Sequence, residues 1–266
     1  MNGEEHWRDD RDPFMTTTAP HVLVVGGTRG IGRAVVRRLA ADGHVVSIIG
    51  RSQAAANDDR RVRSWSADIA DLSLLKATLS EIVQAQGPLS AAVLLQRYRG
   101  GGDDWAGEIA TSLTATRELV EWAGEHFEDL GSGKAIVVVS SIASGYVASE
   151  QPVSYHMAKA ALSQMVRYYA VSLGRKGIRI NAVCPGTIVK EESQRFYSEH
   201  PEIEALYREI VPLGRMGTSE DVADLSAFLL GPRASFLTGQ NIVLDGGVSL
   251  QSHESLSRRL SGAGTQ

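Results

Sequence analysis

The chain has 266 residues, 43% of them hydrophobic, and a formal net charge of −4, enough for one large buried core and usual for a single α/β domain. The near-neutral balance, without a basic run or acidic tail, argues against a nucleic-acid partner, and no apolar stretch reaches the roughly 18 residues of a bilayer span; with a charged rather than signal-like start, this predicts a cytoplasmic protein off the membrane. One cysteine, Cys184, excludes an internal disulfide, and seven histidines without i,i+4 pairing predict no metal site.

Residues 1–19, rich in Asp, Glu, Arg and Thr, bury too little apolar surface to offset the entropy of ordering, and are expected to be mobile; Met15 is a possible alternative start. The first strand is predicted at 21–25. It runs into Gly26-Gly27-Thr28-Arg29-Gly30-Ile31-Gly32 and then into a helix over 30–42. In such a junction the glycines let backbone come close to a ligand, and the free N–H groups of the helix start favour a phosphate. The spacing is Gly-x-x-x-Gly-x-Gly, which alone also fits a structural turn.

A second strand at 44–49 ends in Ile48-Ile49-Gly50-Arg51. Dinucleotide folds place an acid near here to grip the ribose hydroxyls, or an arginine to accommodate a 2′-phosphate. Gly50 takes the acid's place, and Arg51 with Arg29 can pair with a phosphate, so NADP is favoured over NAD. Strands follow at 62–66, 89–95, 134–140, 178–183 and 241–244, with helices at 71–86, 104–129, 153–174, 191–210 and 218–230. This alternation predicts one Rossmann-type, doubly wound α/β domain over 20–250, with a parallel sheet of about seven strands. Residues 251–266, rich in Ser and Gly, are expected to be a mobile tail.

Ser141 lies just beyond the strand at 134–140, and Tyr155 and Lys159 stand at i and i+4 of the next helix, on one face. A phenol is ordinarily protonated up to about pH 10, but a neighbouring ammonium makes it a usable acid–base group. Lys159 would tune Tyr155, and Ser141 would hold a carbonyl oxygen. Cys184 reads as a small buried filler, His156 points away from Tyr155, and Trp105 and Trp122 read as core or subunit-contact residues.

On the glycine turn, Asp68-Ile69, Ser141, Tyr155, Lys159, Asn181-Ala182-Val183-Cys184-Pro185-Gly186 and Leu244-Asp245-Gly246-Gly247, the chain resembles the short-chain dehydrogenase/reductase family, its ketoacyl-reductase-like members above all. The resemblance implies that Asp68 and Ile69 contact the adenine, that Pro185, Gly186 and Ile188 frame the nicotinamide, and that Lys159 with Tyr155 also binds the nicotinamide ribose. Homodimers or homotetramers built on the helices at 104–129 and 153–174 are implied, with Leu113, Leu119, Leu162 and Val166 numerous enough for core and partner.

Two departures stand out. The family's usual Asn-Asn-Ala-Gly is replaced by Leu94-Leu95-Gln96-Arg97, followed by Tyr98, Arg99 and three glycines; the family's catalytic asparagine falls on Ser112, a shorter group with one proton to donate. Gln96, Arg97, Tyr98 and Arg99 read either as contacts for an anionic or polar substrate or as a solvated basic loop. The segment 190–210, with Glu191, Glu192, Arg195, Tyr197 and Tyr207, reads equally as a substrate lid or an amphipathic helix pair. The expectation is an NADPH-dependent carbonyl reductase, reversible as an alcohol dehydrogenase. Its alternatives are an NADP(H)-binding sensor with little catalysis and an NAD-linked sugar or cyclitol oxidoreductase.

Overall fold

The β-branched run His21–Val25 forms β1 and is buried at every position. Its alternation serves two cores: Leu23 and Val25 face one, Val22 and Val24 the other, as required of a strand covered on both faces. The computed structural model describes residues 19–52, 59–100 and 104–262. Nearly all of the expected mobile start, Met15 included, and two of the glycines after Arg99 lie outside the described residues.

After β1 come α1 (Gly30–Ala41), β2 (Val45–Gly50), β3 (Val62–Ser66), α2 (Leu72–Gln86) and β4 (Ala91–Leu94). Then follow α3 (Trp105–Glu108), a π-helical stretch (Ile109–Thr114), α4 (Ala115–His126), β5 (Lys134–Val139), α5 (Val153–Gly174) and β6 (Ile178–Pro185). The rest is β7 (Ile188–Val189), α6 (Gln194–Glu199), α7 (Pro201–Ile210), β8 (Gly217–Thr218), α8 (Ser219–Leu230), β9 (Asn241–Leu244) and α9 (His253–Leu260). Seven strands make one parallel sheet in the order β3-β2-β1-β4-β5-β6-β9, and β7 pairs with β8 apart from it. On one face Leu75, Leu79 and Ile82 of α2 join Leu119 of α4 and Leu162 and Val166 of α5; on the other, α1 and α8 pack together through Val35, Leu39, Val222 and Leu229. The chain reverses its direction of winding between β1 and β4, so the crevice beyond their carboxyl ends is where this architecture receives ligands.

Three expectations change. The helix expected over 104–129 is split by the π-helical stretch, a widened turn that in other helices often marks a functional site. The one expected over 191–210 breaks at His200 (φ −129°, ψ 63°), because Pro201 pushes the preceding residue out of helical geometry. The tail contains α9, whose first turn is capped by Ser252 and whose Arg259 donates to the Glu209 carbonyl. Of the residues named for partner contact, Leu119, Leu162 and Val166 are at most 3% exposed and belong to the chain's own core. The exposed apolar groups of α5 are instead Val153, Met157, Tyr168 and Val171. Among the described residues, no helix is long and apolar enough to cross a membrane.

Candidate active site

The glycine turn closes tightly on itself. Gly26 (φ +88°) and Gly30 (φ +51°) take conformations that side chains resist, and a Cβ on Gly32 would stand 2.1 Å from the Gly26 carbonyl oxygen. Arg33, one turn on, forks onto the Thr28 carbonyl (3.3 and 3.1 Å) and reaches Glu191 Oε2 at 2.8 Å. The start of α1 has no side-chain cap, and a Glu192 carboxylate oxygen lies 2.9 Å from where a Gly30 Cβ would be. Uncapped N–H groups and the helix dipole favour negative charge there.

A cavity of about 220 Å³ opens beside it, lined by Gly26, Thr28, Arg29, Arg51, Asp68 and Ile69 among others. Gly50, at the end of β2, has no room for a side chain: a Cβ would meet the Thr28 methyl at 2.7 Å. No carboxylate stands at this position, and Arg29 and Arg51 line the cavity beside it. Asp68 accepts a hydrogen bond from the Ala70 N–H at 3.0 Å and stays exposed, while Ile69 is buried. The rebuilt wall after β4 brings Gln96, Arg97, Tyr98 and Arg99 to the same cavity. Gln96 donates to Thr116 Oγ1, and its own Oε1 is buried with no hydrogen-bond partner among the described residues. A buried acceptor in that state favours a ligand that brings a donor. Glycine turn, arginine pair and orphaned amide oxygen together fit a nicotinamide dinucleotide with its diphosphate and ribose hydroxyls.

At the other end of the crevice stands α5. Lys159 is 4% exposed, its Nζ donates to the Val139 carbonyl at 3.1 Å, and it lies 5.6 Å from the centre of the half-buried Tyr155 ring. Arg97 lies over the same ring at 4.8 Å. Ser141 follows β5, accepts the Ala143 N–H at 3.1 Å and begins a short helical turn that packs on α5. Burial pulls Lys159 down from 10.5 to about 8; Glu108 opposes the fall, and Arg97 adds to it. Pro185 ends β6, Gly186 donates to the Leu244 carbonyl at 3.0 Å, and Ile188 is buried at the start of β7.

Sequence reasoning missed Glu108. It is 4% exposed and accepts a hydrogen bond from Ser112, whose carbonyl in turn accepts from Thr116. The available signal was a lone acid four residues before Ser112 in an otherwise apolar helix start. His156 serves structure: its Nε2 accepts the Ala148 N–H and its Nδ1 meets the Pro152 carbonyl, both at 2.9 Å. Cys184 is buried, and that burial raises its thiol above the ordinary range. Trp105 is half exposed, while Trp122 packs on the core and stacks on His126. Among the described residues no metal-ligand group of three or more His, Cys, Asp or Glu is gathered.

Comparison with known proteins places the chain in a family. A family model described as enoyl-(acyl carrier protein) reductase matches residues 25–249. The senescence-associated protein 13 of Arabidopsis thaliana is 32% identical over 86% of this chain and 89% of its own. L-rhamnose 1-dehydrogenase (NAD(P)(+)) of Azotobacter vinelandii is 31% identical over 85% of this chain and 95% of its own. The solved structure of a short-chain dehydrogenase/reductase from Serratia marcescens superposes with a TM-score of 0.72 at 28% identity, covering 88% of this chain and 99% of that one. On these matches and on its seven-stranded parallel sheet, the chain belongs to the short-chain dehydrogenase/reductase family of oxidoreductases.

Proposed function

We propose that the protein is an NADPH-dependent carbonyl reductase, reversible as an alcohol dehydrogenase, acting on a ketone or secondary alcohol. The observation that carries the reading is a buried lysine ammonium 5.6 Å from the ring of a half-buried tyrosine, on a helix beside the strand end that bears Ser141. Gly26, Thr28, Arg29, Gly30, Ile31 and Gly32 would hold the diphosphate, Arg51 and Arg29 the 2′-phosphate, and Asp68 and Ile69 the adenine. Pro185, Gly186 and Ile188 would frame the nicotinamide, with Tyr155 and Lys159 on its ribose. When bound, the nicotinamide supplies the hydride for reduction or accepts it in the reverse direction.

The chain's own groups handle the proton. Ser141 donates a hydrogen bond to the carbonyl oxygen and fixes it towards Tyr155, whose hydroxyl gives that oxygen its proton. Lys159 lends positive charge beside the phenol. Ser112 and Glu108 act behind it as a hydroxyl and a carboxylate in the place of the family's asparagine, a pair able to hold a proton close to Lys159. We further propose a cytoplasmic homodimer or homotetramer. An NAD(P)-linked sugar oxidoreductase is a second reading, favoured by the similarity to L-rhamnose 1-dehydrogenase.

Fluorescence titration with NADPH and NADH, followed by NADPH oxidation across a panel of ketones and sugars, tests the proposal. Loss of a charge-assisted contact costs roughly 1.5–3 kcal/mol, so NADPH should bind about 10-fold to 150-fold more tightly than NADH. Arg51→Ala should weaken NADPH selectively. Equal affinity, or preference for NADH, removes the NADP assignment; tight NADPH binding without turnover of any carbonyl supports a sensor instead.

A further inference from the structure

Among the described residues, the cavity beside the glycine turn is lined by Arg29, Arg51, Arg97 and Arg99 against a single acid, Asp68. Two of these arginines sit where the cofactor's phosphates would lie; Arg97 is at the opposite end. Its guanidinium rests 4.8 Å over the Tyr155 ring, and one Nη donates to Gln151 Oε1 at 2.7 Å. A guanidinium carries five donors in a flat fork that matches a carboxylate or phosphate edge. The contact to Gln151 uses one of them, and Arg97 is otherwise exposed at the cavity it lines.

Around Arg97 the charge is unbalanced. Arg99 and Lys190 are both depressed from their ordinary values by burial first and by neighbouring cations next, Arg97 being among them in each case. Glu192 is the acid that acts on both, and it is the same carboxylate that leans on the start of α1.

We propose that the substrate is an anionic carbonyl compound, and that Arg97, held by Gln151 over Tyr155, is the specificity-determining residue that receives its carboxylate or phosphate group. This rests on the reductase reading and sharpens it: the carbonyl reaches Ser141 and Tyr155 while the oxyanion lies on Arg97, within a few bonds of it.

The test is calorimetric binding to the full-length protein saturated with NADP⁺, using pyruvate, acetoacetate and levulinate, each beside its methyl ester, and dihydroxyacetone phosphate beside dihydroxyacetone. NADPH oxidation is followed with the same compounds. At least one oxyanion should bind about 10-fold or more tightly than its neutral counterpart; the carboxylate and phosphate arms identify which kind. Arg97→Met should bring that pair within about 2-fold, while Arg97→Lys keeps part of the preference. No anion preference in the wild type, or one that survives Arg97→Met, overturns the proposal. An Arg97-dependent preference without NADPH oxidation leaves the anion site standing and removes the reductase reading; oxidation without any anion preference does the reverse.

Discussion

Glu108 and Arg97 bear on Lys159 with opposite sign, and that gives the site a testable pH signature. Lys159 is faced by Glu108 before the π-helical stretch, Arg97 after β4, Cys184 on β6 and Lys190 after β7, besides Tyr155 on its own helix. With its proton leaving near 8, carbonyl reduction should fall as pH rises through that value. Glu108→Gln removes a charge that holds the proton, so the alkaline limb should move to lower pH; Arg97→Met removes a repelling charge and should move it up. Unmoved limbs in both variants would detach Lys159 from the pH profile. The linkage to stability has a definite sign. The unfolded chain keeps this proton to about 10.5 and the folded one to about 8, so unfolded protein holds more protons in between and Lys159's contribution to stability rises with pH across that window. Below it, the cost of burying the ammonium is fully present. Urea unfolding at two pH values, one below and one inside the window, should show Lys159→Met losing that rise; an unchanged slope would contradict it. Tyr155, Lys159 and Ser141 were legible because strand end and helix spacing fix their positions, whereas Glu108 was not, since its burial depends on packing that no local spacing encodes.

Among the elements, the segment from β7 through α7 brings two acids to the glycine turn. Glu191 is tied to Arg33 at 2.8 Å, an exposed pair of modest worth, and Glu192 leans on the start of α1. A carboxylate beside that helix start disfavours a second anion there, a term of about 0.3–1 kcal/mol. Glu192→Gln should therefore strengthen NADPH binding about 2-fold to 5-fold, measured by titration; weaker binding would mean the carboxylate supports the bound form. The β-strand cores were readable from unbroken β-branched runs such as Ile136-Val137-Val138-Val139, and α1 from its apolar spacing. The π-helical stretch and the break at His200 were harder to place: Ile109–Thr114 carries no sequence mark of a widened turn, and Pro201 marks a boundary that periodicity alone runs through.

For the whole molecule, the outward faces of α4 and α5 bear on assembly. Tyr168, Val171 and Met157 are 66%, 82% and 50% exposed, and an apolar cleft of about 510 Å³ lies between the helices, lined by Leu113, Met165 and Tyr169 among others. Light scattering at micromolar concentration should give a dimer or tetramer, and Val171→Glu should shift it towards monomer; a wild-type monomer would contradict the proposed assembly. Of the side chains the sequence suggested for core and partner, Leu119, Leu162 and Val166 lie in the chain's own core, and Leu113 lines the cleft. On the proposed function one end of the crevice binds a nucleotide and the other moves a proton, and Tyr155→Phe separates the two. The variant keeps the ring's packing and removes only the hydroxyl, so NADPH affinity should be retained while carbonyl reduction falls by a factor on the order of 10² to 10⁴. Full activity in Tyr155→Phe would remove Tyr155 from the chemistry and contradict the account at its centre.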